Sequence, residues 1–162
     1  MTRRGWRLGL VMAWLQRGLW SLALLGLLAP AAASAAVLAE PDERAVREVV
    51  EAQLDAFAAG DAERAFSYAS ASIRAQFGNA ATFLAMVRSG YPMVVRPATV
   101  SFFQPQADDA ADRAEASVQQ MVRLRDRDGR LWMATYLLER QPGNGWRISG
   151  CVVMADSGKA SI

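Results

Sequence analysis

"VVEAQLDAFAAGDAERAFSYAS", residues 49–70, carries the decision about the fold. Val49, Val50, Gln53, Leu54 and Phe57, with Val46 just upstream, recur at three- and four-residue steps and so make one buried stripe on a helix. Gly60 ends that helix, and Asp61 caps a second, short one carrying Ala65, Phe66 and Tyr68. Working upstream, Pro41 and Asp42 open the first helix, because proline suits an early helical position and an aspartate can cap exposed amides. Arg44 with Glu48, and Arg47 with Glu51, stand four residues apart on the wet side. Working downstream, residues 72–77 read as one further helical turn. Asn79 then caps a third helix with Phe83, Leu84, Met86 and Val87 inward, and "SGYP" at residues 89–92 stops it.

After Pro97 the pattern turns extended. Strands are expected over residues 99–103, 114–124, 131–140 and 146–153, with "PQADDAAD" as an acidic loop and "DRDG" and "QPGNG" as hairpin turns. Helices first and a meander second predict an α+β domain, three helices packed on one face of a four-stranded, mainly antiparallel sheet. "ADSGKASI", residues 155–162, reads as a loose tail.

The first 35 residues have a different grammar. Arg3, Arg4, Arg7 and Arg17 precede any acid, residues 18–28 are apolar apart from Ser21, and Pro30 leads into "AAASAA". Basic, apolar and small-residue regions in that order describe a cleaved signal peptide, with cleavage after Ala35 or Ala36. General secretion is the expected route, although "TRRGW" also resembles a twin-arginine start and Met12 can begin a conventional signal. Gln16, Arg17 and Gly18 break the hydrophobic run, so a retained span of ~20 apolar residues is not expected. The domain is thus residues 36–154, and its expected location is periplasmic or secreted.

Export changes the charge. The whole chain has 18 basic and 16 acidic residues; without the leader's arginines the balance falls to about −2, which removes the electrostatic case for nucleic acid. Arg123, Arg125 and Arg127 share one side of an extended segment but alternate with Asp126 and Asp128, as at a solvated strand end.

The stretch at 49–70, followed by "AQFG", "FLAMVRSGYP" and a closing "GWRISGCVV", resembles the domain of unknown function 4864 family, within the nuclear transport factor 2-like (SnoaL-like) superfamily. The resemblance runs from about Ala45 to Val153. It implies a cone, with helices closing over a strongly bent sheet and a pocket between them. It implies no one activity, because that superfamily includes isomerases, cyclases, dehydratases and non-enzymatic binding modules.

The residue inventory narrows the chemistry. There is no histidine and one cysteine, so triad hydrolases, histidine zinc sites and paired-cysteine sites lack their parts. "DRDGR" at 126–130 is a hairpin turn rather than a calcium loop, Asp108, Asp109 and Asp112 read as a solvated loop, and no phosphate or dinucleotide fingerprint is present. No metal or cofactor is expected. An aspartate–histidine pair of the superfamily kind is impossible here; Asp55 falls off its helix's buried stripe and Glu139 lies near a strand end, so neither reads as a poised base. Cys151 has no partner for an internal disulfide and lies among valines, which favours a small packing side chain beneath the helices or in a dimer seam.

A pocket would take its polar lining from residues that break the apolar faces: Gln53, Tyr91, Gln120 and Tyr136. The expected function is a non-catalytic module of the bacterial envelope that binds an apolar small molecule. Two alternatives stand beside it. One is a dimerising or docking domain using an outer sheet face of Arg147, Ser149, Cys151 and Val153; the other is a histidine-independent lyase or isomerase.

Overall fold

Helix α1 (Glu40–Ala59) buries Val46, Val50, Gln53, Leu54, Ala56 and Phe57 on one side. The computed structural model describes residues 38–107, 117–143 and 145–156. The leader over 1–35, its cleavage at Ala35 or Ala36, and the acids Asp108, Asp109 and Asp112 lie outside the described residues. At the start of α1 the cap is Ala39, with no side-chain bond. Asp42 does something else: its carboxylate accepts from Trp146 Nε1 at 3.1 Å and pairs with Arg140, whose guanidinium stacks 4.7 Å from the Trp146 ring. The expected Asp42 cap is therefore replaced by a tie from helix to sheet. Arg47 pairs with Glu51 at 2.8 Å, whereas Arg44 reaches back to Glu40 and not forward to Glu48, one turn nearer the helix start.

At its other end Gly60 turns left-handed with φ 74°. The Gly60 and Asp61 amides return to the Phe57 and Ala56 carbonyls, the paired bonds of a Schellman end. Asp61 then caps α2 (Ala62–Ser67), its Oδ1 accepting from the Arg64 amide at 3.0 Å. Asp61→Ala is expected to lower the unfolding free energy by about 1 kcal/mol. Urea unfolding checks this, and a value near zero would show that the reversal between α1 and α2 is set by Gly60 alone.

Ser70 caps α3 (Ala71–Phe77), and Asn79 caps α4 (Ala80–Gly90). Pro92 does not end the helical chain as expected; it sits at the start of a one-turn helix, α5 (Pro92–Val95), where its missing N–H costs nothing.

The sheet has strands β1 (Thr99–Phe102), β2 (Gln106–Ala107), β3 (Ser117–Arg125), β4 (Leu131–Gln141) and β5 (Gly145–Ala155), in the order β1-β3-β4-β5 with all pairs antiparallel. Short β2, expected to be loop, pairs with Val118 and Gln119 on the edge of β3 that β1 also uses. Strand β5 reaches Ala155, into the stretch read as tail, and Arg123 pairs with Asp156 there at 2.8 Å. In the β3–β4 turn one oxygen of Asp126 accepts the Asp128 and Arg130 amides and the other accepts Trp132 Nε1, so that carboxylate is engaged by its own hairpin.

Every second residue of β3 is buried, Val118, Gln120, Val122 and Leu124, and meets the helices together with Ala134, Tyr136 and Leu138 of β4. The α2–α3 junction docks on β5: the Ser70 amide donates to the Ile148 carbonyl at 2.8 Å, and the Ile148 amide to the Tyr68 carbonyl at 2.9 Å. That bridge holds the helices over the sheet and covers part of its open edge.

Candidate functional site

One irregularity in β5 decides which residues face the helices. Leu138 pairs with Ile148 but Leu137 pairs with Gly150, leaving Ser149 as an extra residue. Its hydroxyl donates to the Leu137 carbonyl at 3.3 Å. A bulge of this kind resets the two-residue alternation of a strand. Trp146 and Ile148 face inward before it, and Cys151 and Val153 face inward after it. The expected outer row of Arg147, Ser149, Cys151 and Val153 is thereby corrected: the last two lie on the helix side, and Val152 and Met154 are the exposed ones, at 56% and 62%. The signal was present in the sequence, since a glycine inside a strand marks a bulge, and Gly150 is that glycine.

The helices do not fill the space above Tyr136, Cys151 and Val153. A cavity of about 300 Å³ remains, roofed by Gln53 and Phe57 of α1, Ile73 and Phe77 of α3, and Phe83, Met86 and Val87 of α4. Phe83 is the hub of the roof, with ring centroids 5.4 to 5.9 Å from Phe57, Phe66 and Phe77. Val94 of α5 and the more exposed Tyr91 and Gln76 also line it, with Ala69, Ile148 and Gly150. None of these residues is charged, so the cavity suits a neutral guest.

Three of the four expected polar residues line it, and each is held differently. Gln53 is buried and its amide donates to the Ala65 carbonyl at 3.2 Å, near the end of α2 where helical acceptors are left over. Tyr91 stands between α4 and α5 at the rim. Tyr136 is 1% exposed on the floor. Gln120 is not in the lining; its amide donates to the Phe103 carbonyl at 2.6 Å and the Met121 carbonyl at 2.9 Å. It bridges the gap between β1 and β2, where Pro105 has no amide to offer. Sequence reasoning leaves Gln76 out, because an exposed residue on a short helix makes no break in an apolar stripe.

Titration on the floor is suppressed. Burial pushes the Cys151 thiol up to about 12, partly offset by the neighbouring Tyr136 hydroxyl. Burial, chiefly, also raises the Tyr136 phenol well above its ordinary value. Both groups are neutral near pH 7, so neither is a nucleophile or base there. Asp55 is exposed, and Glu139, half-buried, accepts from Gln141 Nε2 at 2.9 Å. Among the described residues no three acidic or cysteine side chains gather as a metal site, and no helix is long and apolar enough to cross a membrane.

A second, more open groove of about 700 Å³ is lined by Arg88, Arg96, Arg127 and Arg130 with Asp126 and Asp128. Arg96 donates to the Ala58 carbonyl at the end of α1 at 3.1 Å. Asp126 belongs to the hairpin already described, so the groove gathers turn and helix-end groups beside water.

No curated protein and no solved structure matches the chain. Residues 39–161 match the family described as "Domain of unknown function (DUF4864)". That span takes in the five helices and five strands of the described residues, and the chain belongs to the domain of unknown function 4864 family.

Proposed function

We propose that this protein is an exported, nuclear transport factor 2-like domain that binds a small, neutral, mainly apolar molecule without chemically changing it. The observation that carries the reading is the cavity between helices and sheet, lined by side chains of which none is charged. Its size lies at the lower end of the range for small-molecule sites. Helices packed on an antiparallel sheet around a cavity support the superfamily assignment, and the order of basic, apolar and small residues in the leader supports export to the periplasm or beyond. The absence of a poised base in the lining argues against the lyase or isomerase alternative.

A second reading draws on the opposite face of the sheet. Leu137, Val152 and Met154 are exposed there, at 40%, 56% and 62%, which is an apolar surface suited to a second copy or an envelope partner. Adjacent residues of β5 separate the two readings. Val153→Trp fills the cavity and is expected to weaken binding of N-phenyl-1-naphthylamine at least about tenfold, while Val152→Glu leaves it unchanged. If Val152→Glu abolishes binding and Val153→Trp does not, the dye reports the outer face and the cavity reading fails. Sedimentation of the same two variants tests self-association, which Val152→Glu alone should disrupt.

A further inference from the structure

Two buried side-chain polar atoms among the described residues have no hydrogen-bond partner, Gln120 Oε1 and the Tyr136 hydroxyl. They are neighbours: Gln120, Tyr136 and Cys151 form one cross-strand row over β3, β4 and β5. Gln120 is locked, because turning its amide over would set an oxygen against the Phe103 and Met121 carbonyls. Tyr136 differs in being part of the cavity floor. An enclosed hydroxyl without an acceptor opposes folding, and folds keep one where a partner outside the chain completes it.

We propose that the molecule bound in this cavity carries a carbonyl or ether oxygen that accepts a hydrogen bond from the Tyr136 hydroxyl. The inference rests on the ligand-binding reading above and narrows it to a ligand class: neutral, mainly apolar, with an oxygen acceptor at one end. A carboxylate or phosphate has no cation in the lining to meet it, and an ammonium has no carboxylate. The neighbouring thiol is a poor partner for the phenol, since sulfur accepts weakly. It is also the cover: Cys151 stands opposite Tyr136 in the register and lines the same cavity. Its thiol is in no disulfide and is held only by its weak contact with the phenol, so a change of rotamer exposes the hydroxyl to an incoming oxygen. Gln53 already uses one of its two amide N–H groups on the Ala65 carbonyl, whereas the Tyr136 hydroxyl has no acceptor at all.

The test uses two probes of nearly one shape, 1-tetralone and 1-methylenetetralin, in which a carbonyl oxygen is exchanged for a CH₂ group. Their affinities are measured for wild type and for Tyr136→Phe, a substitution that removes only the hydroxyl. The ratio of ketone to alkene affinity is expected to fall about tenfold in the variant. Both probes binding with the same ratio in both proteins overturns the Tyr136 assignment and leaves the cavity reading standing. Neither probe binding to wild type overturns both. Should Tyr136→Phe fail to fold, the carbonyl stretch of 1-tetralone bound to wild type decides: a shift to lower wavenumber than in hexane supports the hydrogen bond, and the hexane value overturns it.

Discussion

Phe83→Ala should lower the unfolding free energy by about 3–5 kcal/mol, the cost of truncating a buried phenylalanine. Phe83 is 7% exposed, and its ring lies 5.4 to 5.9 Å from three others, which join α1, α2, α3 and α4 through one side chain. Each aromatic contact adds about 0.5–1.5 kcal/mol beyond the buried area. Relaxation offers little relief, because the ring also lines the cavity and its removal enlarges a space that is already open. Urea unfolding of Phe83→Ala beside Phe103→Ala provides the measurement. Phe103 is 38% exposed and should cost far less. Equal losses would mean that the roof is not organised around Phe83. Because a domain of this size has only about 5–15 kcal/mol in hand, the variant should unfold at low denaturant.

Alkaline pH should weaken the native state through Cys151. Burial lifts the thiol from 9.0 to about 12 in the folded chain, whereas in the unfolded chain it titrates near its ordinary value. Above pH 9 the unfolded state therefore binds fewer protons than the native state, and stability falls with rising pH until about pH 12. The full loss from this one group is about 4 kcal/mol, because each pH unit between the unfolded and folded values contributes about 1.36 kcal/mol. Tyr136 acts in the same direction, since its phenol too is raised by burial. Unfolding curves at pH 7 and pH 11 for wild type and Cys151→Ala isolate the contribution, because the substitution should flatten the slope. Parallel slopes would place the thiol in water. Alkylation gives a second check: at pH 8 the native thiolate population should be on the order of a thousandfold below that of a free cysteine. Guanidinium should restore the ordinary rate.

The helical half is readable from residue types because each boundary has a local chemical cause. Gly60, Asp61 and Asn79 act within a few residues of themselves, and the structure puts them where that chemistry predicts. Asp42 escapes such a reading for the complementary reason. Its partners, Trp146 and Arg140, are about a hundred residues away, and no local rule chooses between a cap and a distant tie. The cavity is legible in part. Gln53 and Tyr136 stand out as polar breaks in apolar faces, but so does Gln120, and only the pairing of β1 and β2 with β3 shows that its amide fills a gap in the sheet. Strict alternation puts Cys151 on the outer face, and one extra residue defeats it.

That extra residue, Ser149, works as a parity bit for the rest of β5. Taking it into the ladder opposite Leu137 would restore strict alternation past Ile148, exchanging the sides taken by residues 151–154. Cys151 and Val153 would be delivered to water, and Val152 and Met154 to the space beneath the helices. The composition of the chain would not change, yet the floor of the cavity would be rewritten and Tyr136 would lose its thiol neighbour. Loss of its codon would instead straighten the strand and leave Cys151 opposite Tyr136, so what the cavity can hold depends on whether residue 149 is bulged or paired, and chains in this family should be compared by strand pairing past Ile148 before residue identity.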